Sequence, residues 1–134
     1  MDKKFIESFN NQNTDTFDTP WIDLSILCID NKNQEMHFSS ANRKLIHIDR
    51  SDKMNIYKGS KYPLGGWQVE KNRKFESQTI EYAYGDTIYL GSDGFQDQIG
   101  GAKNQKYKSK QLHKFLLKIN HLEFCEQKNE AATA

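Results

Sequence analysis

The residues whose types and spacing suit them best to chemistry lie between Tyr84 and Gly101, in the run Tyr-Gly-Asp-Thr-Ile-Tyr-Leu-Gly-Ser-Asp-Gly-Phe-Gln-Asp-Gln-Ile-Gly-Gly. Gly85-Asp86 signals a turn, and Thr87 to Leu90 is a β-branched and aromatic run that fits a short buried strand. Asp93 therefore arrives at a strand end, followed by Gly94, whose missing Cβ lets the backbone turn sharply. A carboxylate projecting past a sheet edge is a candidate ligand for a hard divalent cation. As a bare dipeptide, Asp-Gly is more often an ordinary turn, so the weight rests on the longer pattern.

Other candidates are weaker. Asp97 follows Asp93 by four residues, but the alternating acids and closing glutamate of a calcium loop are missing. His37, His47, His113 and His121 have no metal-ligand spacing and read as packed or surface residues. Cys28, in a strand expected to be buried, and Cys125 are too few and too far apart for a zinc site or a disulfide framework. Trp21 and Trp67 read as partly buried rings rather than partner anchors. The lysines between 103 and 110 read as a solvated loop.

The elements that must position these residues follow from periodicity and turn chemistry. Phe5, Ile6 and Phe9 predict a short helix over 2–10, and the turn-rich segment to Pro20 predicts a loop. Ile22 to Ile29 is apolar at alternate positions of both parities, which predicts a strand covered on both sides. Asp30-Asn31-Lys32-Asn33 predicts a hairpin turn into a strand with Met36 and Phe38 on one face. After a bend at 40–43, Lys44 to Asp49 alternates Ile46 and Ile48 against Leu45 and His47, and Ser51-Asp52 turns into a strand from Met54 to Tyr57. Such short connections predict an antiparallel meander rather than βαβ units.

Gly59 to Trp67 is a loop in which Pro63 fixes one φ and Gly65-Gly66 permit positive values; Phe75 to Tyr82 is strand-like. Leu112, Phe115, Leu116 and Ile119 recur at helical spacing and predict a helix over 111–119 with one apolar face. Leu122 and Phe124 extend it or begin another short helix, and 126–134 reads as a fraying tail.

The chain has 134 residues, sized for one domain, with 19 basic and 18 acidic side chains. That balance offers nothing to attract nucleic acid or an anionic membrane surface. Mean hydropathy is −0.88, and no apolar run approaches the roughly 20 residues that a membrane helix needs. The first residues lack the pattern of a secretory signal, so a cytoplasmic location is expected.

From about residue 20 to residue 125 the assembled motifs resemble the C-terminal portion of a SpoIIE-type (sporulation stage II protein E) serine phosphatase domain, a branch of the PPM metal-dependent phosphatases. Asp23 with Leu24 to Ile29 is similar to the family's strand with its leading aspartate. Phe38-Ser39-Ser40-Ala41-Asn42-Arg43-Lys44-Leu45 resembles its aromatic-small-Gly-Ala-Asn-x-x-Leu turn, with Ser40 where glycine is usual. Lys61-Tyr62-Pro63-Leu64-Gly65 resembles a loop ending in Pro-Ile/Leu-Gly. Gly85 to Gln98 matches most specifically, resembling Gly-Asp-x-Leu-Tyr-Leu-x-Ser-Asp-Gly-Tyr-x-Asp-Gln.

The resemblance implies an α+β fold of mostly antiparallel sheets with covering helices, part of an α-β-β-α sandwich. It divides the chain into an N-terminal helix and loop (1–19), the phosphatase-like portion (20–125) and a tail (126–134). It further implies a binuclear Mn²⁺ or Mg²⁺ centre in which Asp93 is a metal ligand, and metal-activated water that hydrolyses a phosphoserine or phosphothreonine. Two ions about 3.5 to 4 Å apart can clamp a phosphoryl group in this way. The usual substrate in the family is a phosphorylated anti-sigma-factor antagonist in bacterial signalling.

Two departures stand out: no Gly-Asp metal motif precedes Asp23, and no Asp-Asp pair lies in 126–134. One carboxylate does not hold Mg²⁺ or Mn²⁺ against hydration, so the chain is expected to be a fragment or degenerate copy with an incomplete centre. The alternative is a non-catalytic phosphatase-like interaction or scaffold module. A third reading, a β-rich ligand-binding domain built on the 59–67 loop, has no chemical signature behind it. An open sheet edge would also permit a homodimer.

Overall fold

The structure, a computed structural model, describes residues 20–66, 73–97, 99–100, 105–106 and 108–133, together with Lys4. The helix expected over 2–10, the loop after it, Trp67 and most of the lysine-rich segment lie outside the described residues. The chain forms two compact units, Met1–Leu45 with Ile56–Ala83 and Ile46–Asn55 with Tyr84–Ala134, and passes between them three times, twice within strands and once between residues 83 and 84.

The first unit is built on a β-hairpin. Strand β1 is Trp21–Ile22, β2 is Leu24–Asp30 and β3 is Glu35–Ala41. The Asp30 carboxylate accepts the backbone N–H groups of Lys32 (2.9 Å) and Asn33 (3.2 Å) and the Asn33 side-chain amide (2.8 Å), closing the turn expected there. Gln34, at φ 54°, completes it. The antiparallel register sets Leu27 opposite Phe38 and Ile29 opposite Met36. On its other side β3 pairs antiparallel with β7 (Gln78–Glu81), Met36 facing Ile80, so the sheet order is β2-β3-β7. Met36, Phe38 and Ile80 are buried, as the alternation of β3 requires.

The strands after the hairpin are β4 (Lys44–Ile48), β5 (Met54–Lys58) and β6 (Leu64–Gly65), the last pairing antiparallel with β1. Both alternating faces of β4 are buried from Leu45 to Ile48. In the second unit, β8 (Thr87–Leu90) joins a sheet of order β5-β4-β8. A four-residue helix, α1 (Gly94–Asp97), follows, then the two-residue strands β9 (Ile99–Gly100) and β10 (Gln105–Lys106), paired antiparallel. Helix α2 (Ser109–Ile119) places Leu116 and Ile119 against Ile46 and Ile48, with Leu112, Phe115, Tyr89 and Met54 around them. This is the apolar stripe that the spacing predicts. The Gln111 side chain reaches back to accept the Lys108 N–H at 2.9 Å, satisfying one donor at the helix start.

The α+β architecture with antiparallel sheets is as expected, but five local readings need correction. The strands do not form one meander: β7 adds to the β2–β3 hairpin and β8 to β4. β2 is not covered on both sides, since Ile26 and Ile29 are 47% and 52% exposed and Cys28 is exposed; it lies at the end of its sheet order. β8 is only half-buried, with Leu90 exposed, because it too ends a sheet order. Trp21 is exposed rather than partly buried. Where a fraying tail is expected, Phe124–Thr133 forms helix α3. Gln127 anchors it, accepting from the Tyr89 hydroxyl (3.1 Å) and donating to the Leu122 carbonyl (2.9 Å).

Candidate functional site

The segment around Asp93 takes its shape from β8 and α1. Asp93 is exposed, beyond the last residue of β8 and immediately before α1, so the structure sets this carboxylate at a strand end as the sequence predicts. Ser92 Oγ accepts the Gly94 N–H at 3.3 Å, a local turn that holds the loop. The glycine with a left-handed backbone here is Gly85 (φ 95°) rather than Gly94. A side chain at Gly94 would instead press on Ser92 Oγ, at 3.2 Å from a Cβ.

The second aspartate of this motif has a different fate. Asp86, directly after the Gly85 turn, is buried and its Oδ2 lies 2.8 Å from Nε2 of buried His47. A carboxylate only accepts, so Nε2 carries the shared proton. His47 Nδ1 is buried with no hydrogen-bond partner among the described residues. Sequence reasoning missed this pair: the two residues are 39 apart, and the sole clue was that alternation puts His47 on an inward face of β4.

In the first unit, Asp23 belongs to a clasp. Its carboxylate, 6% exposed, lies 3.0 Å from Arg43 Nη2 and accepts the Asn42 side-chain amide at 3.3 Å. Asn42 adopts φ 58°, a left-handed geometry that asparagine tolerates, and so reverses the chain between β3 and β4. The Asn42 N–H donates to Ser60 O (2.8 Å), and the Ser60 N–H to Ser40 O (3.0 Å). Ser40 Oγ donates to the Arg43 carbonyl at 2.7 Å, and the Gly59 N–H donates to the same oxygen at 3.0 Å.

A Cβ at residue 59 would overlap Ser40 Oγ and sit 2.8 Å from both Ser40 Cβ and Ser40 O. Ser40, at the position where the resembled motif usually has glycine, is therefore accommodated by a glycine across from it. The Asn-Arg turn is structural: it ties down Asp23 rather than presenting it.

The Pro-Leu-Gly loop is held in the same manner. Arg73 donates through Nη1 to the carbonyls of Gly65 (2.7 Å) and Pro63 (3.2 Å), with its guanidinium 5.6 Å from the centre of the Tyr62 ring. Gly65 and Gly66 take φ values of 82° and 74°, and the Gly66 N–H reaches Pro20 O at 2.9 Å.

A hard-cation centre asks for several carboxylate oxygens converging on one point. Among the described residues no three His, Cys, Asp or Glu side chains converge in that way. Asp23 pairs with Arg43 and Asp86 with His47, whereas Asp93 is exposed. The described side chains do not by themselves fit a binuclear metal site. Among the described residues, no helix is long and apolar enough to cross a membrane.

The fold, with its antiparallel sheets and an Asp-Gly loop at a strand end, is similar to part of a PP2C domain. The SiaA-PP2C domain of Pseudomonas aeruginosa superposes with a TM-score of 0.70 over 83% of this chain, at 22% sequence identity. At that identity the likeness shows a common fold. The chain spans 42% of the length of that neighbour. No family profile and no curated protein matches the sequence.

Proposed function

We propose that this chain is a portion of a SpoIIE-type PPM serine/threonine phosphatase domain, with Asp93 as one ligand of a Mn²⁺ or Mg²⁺ centre that the chain does not complete by itself. In the intact domain, metal-activated water would hydrolyse a phosphoserine on a bacterial signalling protein, an anti-sigma-factor antagonist being the substrate the motifs suggest. A cytoplasmic setting goes with that substrate class. The observation that carries this reading is the exposed carboxylate of Asp93 at the end of β8, within the most specific motif of the chain and on a PP2C-type fold.

A second reading, a phosphatase-like interaction module without chemistry, draws on Asp23 and Asp86, both paired with basic partners. Mn²⁺-dependent hydrolysis of an aryl phosphate separates the two. The chain alone is expected to be inactive, as is Asp93→Asn, whereas a longer chain carrying the acidic motifs should turn over and lose activity with Asp93→Asn. Silence of the longer chain supports the interaction module. Activity of the present chain that disappears with Asp93→Asn overturns the claim of an incomplete centre.

A further inference from the structure

Asp93 is carried by a short strand. β8 has four residues and, among the described residues, its one sheet neighbour is β4, at the end of the order β5-β4-β8. Register is firmly specified where one face of a strand is buried and the other is not. β8 lacks that pattern: Thr87, Ile88 and Tyr89 are all half-buried and Leu90 is exposed, with no alternation. Tyr89 does reach Gln127 through its hydroxyl (3.1 Å), but at the tip of a long side chain that can follow a moving strand.

The contact that tells one register from another is that between His47 and Asp86. His47 lies within β4 and Asp86 is the residue immediately before β8, so their hydrogen bond joins the two paired strands directly. The two side chains are 6% and 7% exposed, with Nε2 and Oδ2 2.8 Å apart. The smallest slip that keeps every side chain on its own face is two residues, about 7 Å along the strand. That distance takes the carboxylate out of reach of Nε2 and leaves the His47 N–H shielded from water without this acceptor, the costly way to lose a hydrogen bond.

We infer that His47 and Asp86 are positioning residues, which set the register of β8 on β4 and thereby the place where the Asp93 carboxylate emerges. The functional weight of that place rests on Asp93 being a ligand, as proposed above. The tie itself stands whatever Asp93 binds, and its test uses neither metal nor turnover, so the failure of one reading leaves the other intact.

Nuclear Overhauser contacts between the backbones of β4 and β8, recorded by NMR on the whole chain, read the register. His47→Leu/Asp86→Leu removes donor and acceptor together, along with the His47 Nδ1 that has no hydrogen-bond partner among the described residues. Such a double replacement can be close to neutral, so this variant should unfold at nearly the wild-type urea midpoint. Its β4–β8 contacts should nevertheless be joined or replaced by a second set displaced by two residues, with the amide signals of Gly91 to Gly94 doubled or moved. The signals of Leu116 and Ile119, in the core beneath α2, should stay in place. Asp86→Asn keeps an oxygen that accepts from Nε2–H and should show the wild-type set alone. Should the double variant fold poorly, Asp86→Ala gives the same comparison. A variant lacking the pair that retains only the wild-type contacts overturns the proposal and reduces the pair to a stabilising bond. A displaced set in Asp86→Asn overturns it as well, because the hydrogen bond would then not be what holds the register.

Discussion

The contact between Gly59 and Ser40 gives the sharpest test of how this chain departs from the motif it resembles. Gly59→Ala would introduce a Cβ overlapping Ser40 Oγ and 2.8 Å from both Ser40 Cβ and the Ser40 carbonyl oxygen. Turning the hydroxyl away clears only the first of these and breaks its 2.7 Å bond to the Arg43 carbonyl. Ser40 is buried and two of the three contacts are with atoms that cannot swing away, so the substitution should cost about 3 kcal/mol, the upper part of the range for overpacking. Ser40→Gly removes the hydroxyl bond, worth about 1 kcal/mol, and adds backbone freedom in a strand, about 0.5 to 1 kcal/mol more.

Independent effects would put the double variant near 5 kcal/mol. Ser40→Gly, however, also removes the Cβ and Oγ that the new methyl meets, leaving the carbonyl contact. The double variant is therefore expected at about 3 kcal/mol, a coupling of about 2 kcal/mol, within the range for side chains in direct contact. Urea unfolding followed by circular dichroism, with unchanged slope across the four proteins, measures it. Additivity within about 0.5 kcal/mol would refute the claim that Gly59 is glycine because residue 40 is serine.

Two other perturbations probe the buried pair and the hairpin. Asp86→Ala should destabilise the chain by about 2 kcal/mol or more, since it leaves the His47 Nε2–H buried without an acceptor; Asp86→Asn keeps an acceptor oxygen and should cost less, as equal losses in urea melts would contradict. The Asn33 side-chain amide, aided by backbone N–H groups, holds the Asp30 carboxyl below its ordinary value of 3.8. A depressed folded-state pKa stabilises above the unfolded value, so this contribution is full above about pH 4 and fades as pH falls through the lower folded value. A carbon-detected NMR titration should place the Asp30 midpoint below 3.8; a midpoint at or above it would mean that the turn bonds do not favour the ionised form.

What the sequence determined by itself was what is encoded locally. The Asp30 turn, the inward face of β3 and the stripe of α2 follow from side-chain types a few residues apart, where backbone geometry alone decides which face a residue takes. The exposure of Asp93 past β8 belongs with these, because a strand run followed by Ser-Asp-Gly leaves the carboxylate at an element boundary.

Tertiary structure decided whatever depends on the neighbour across a gap. Ile22 to Ile29 is apolar on both parities, yet apolarity states what a face would gain from a cover and not whether a cover exists, and Ile26 and Ile29 are exposed. The run after Phe124 has little periodicity and folds as α3 with Gln127 bonded to Tyr89, 38 residues away. Asp23 and Asp86 show the same limit in the candidate site. Both are aspartates beside strands, like Asp93, and only the partners brought by folding, Arg43 and His47, turn them into structural ties while Asp93 stays exposed. A carboxylate's chemistry is set by the charges and donors within a few ångströms, and those come from parts of the chain that local sequence does not relate.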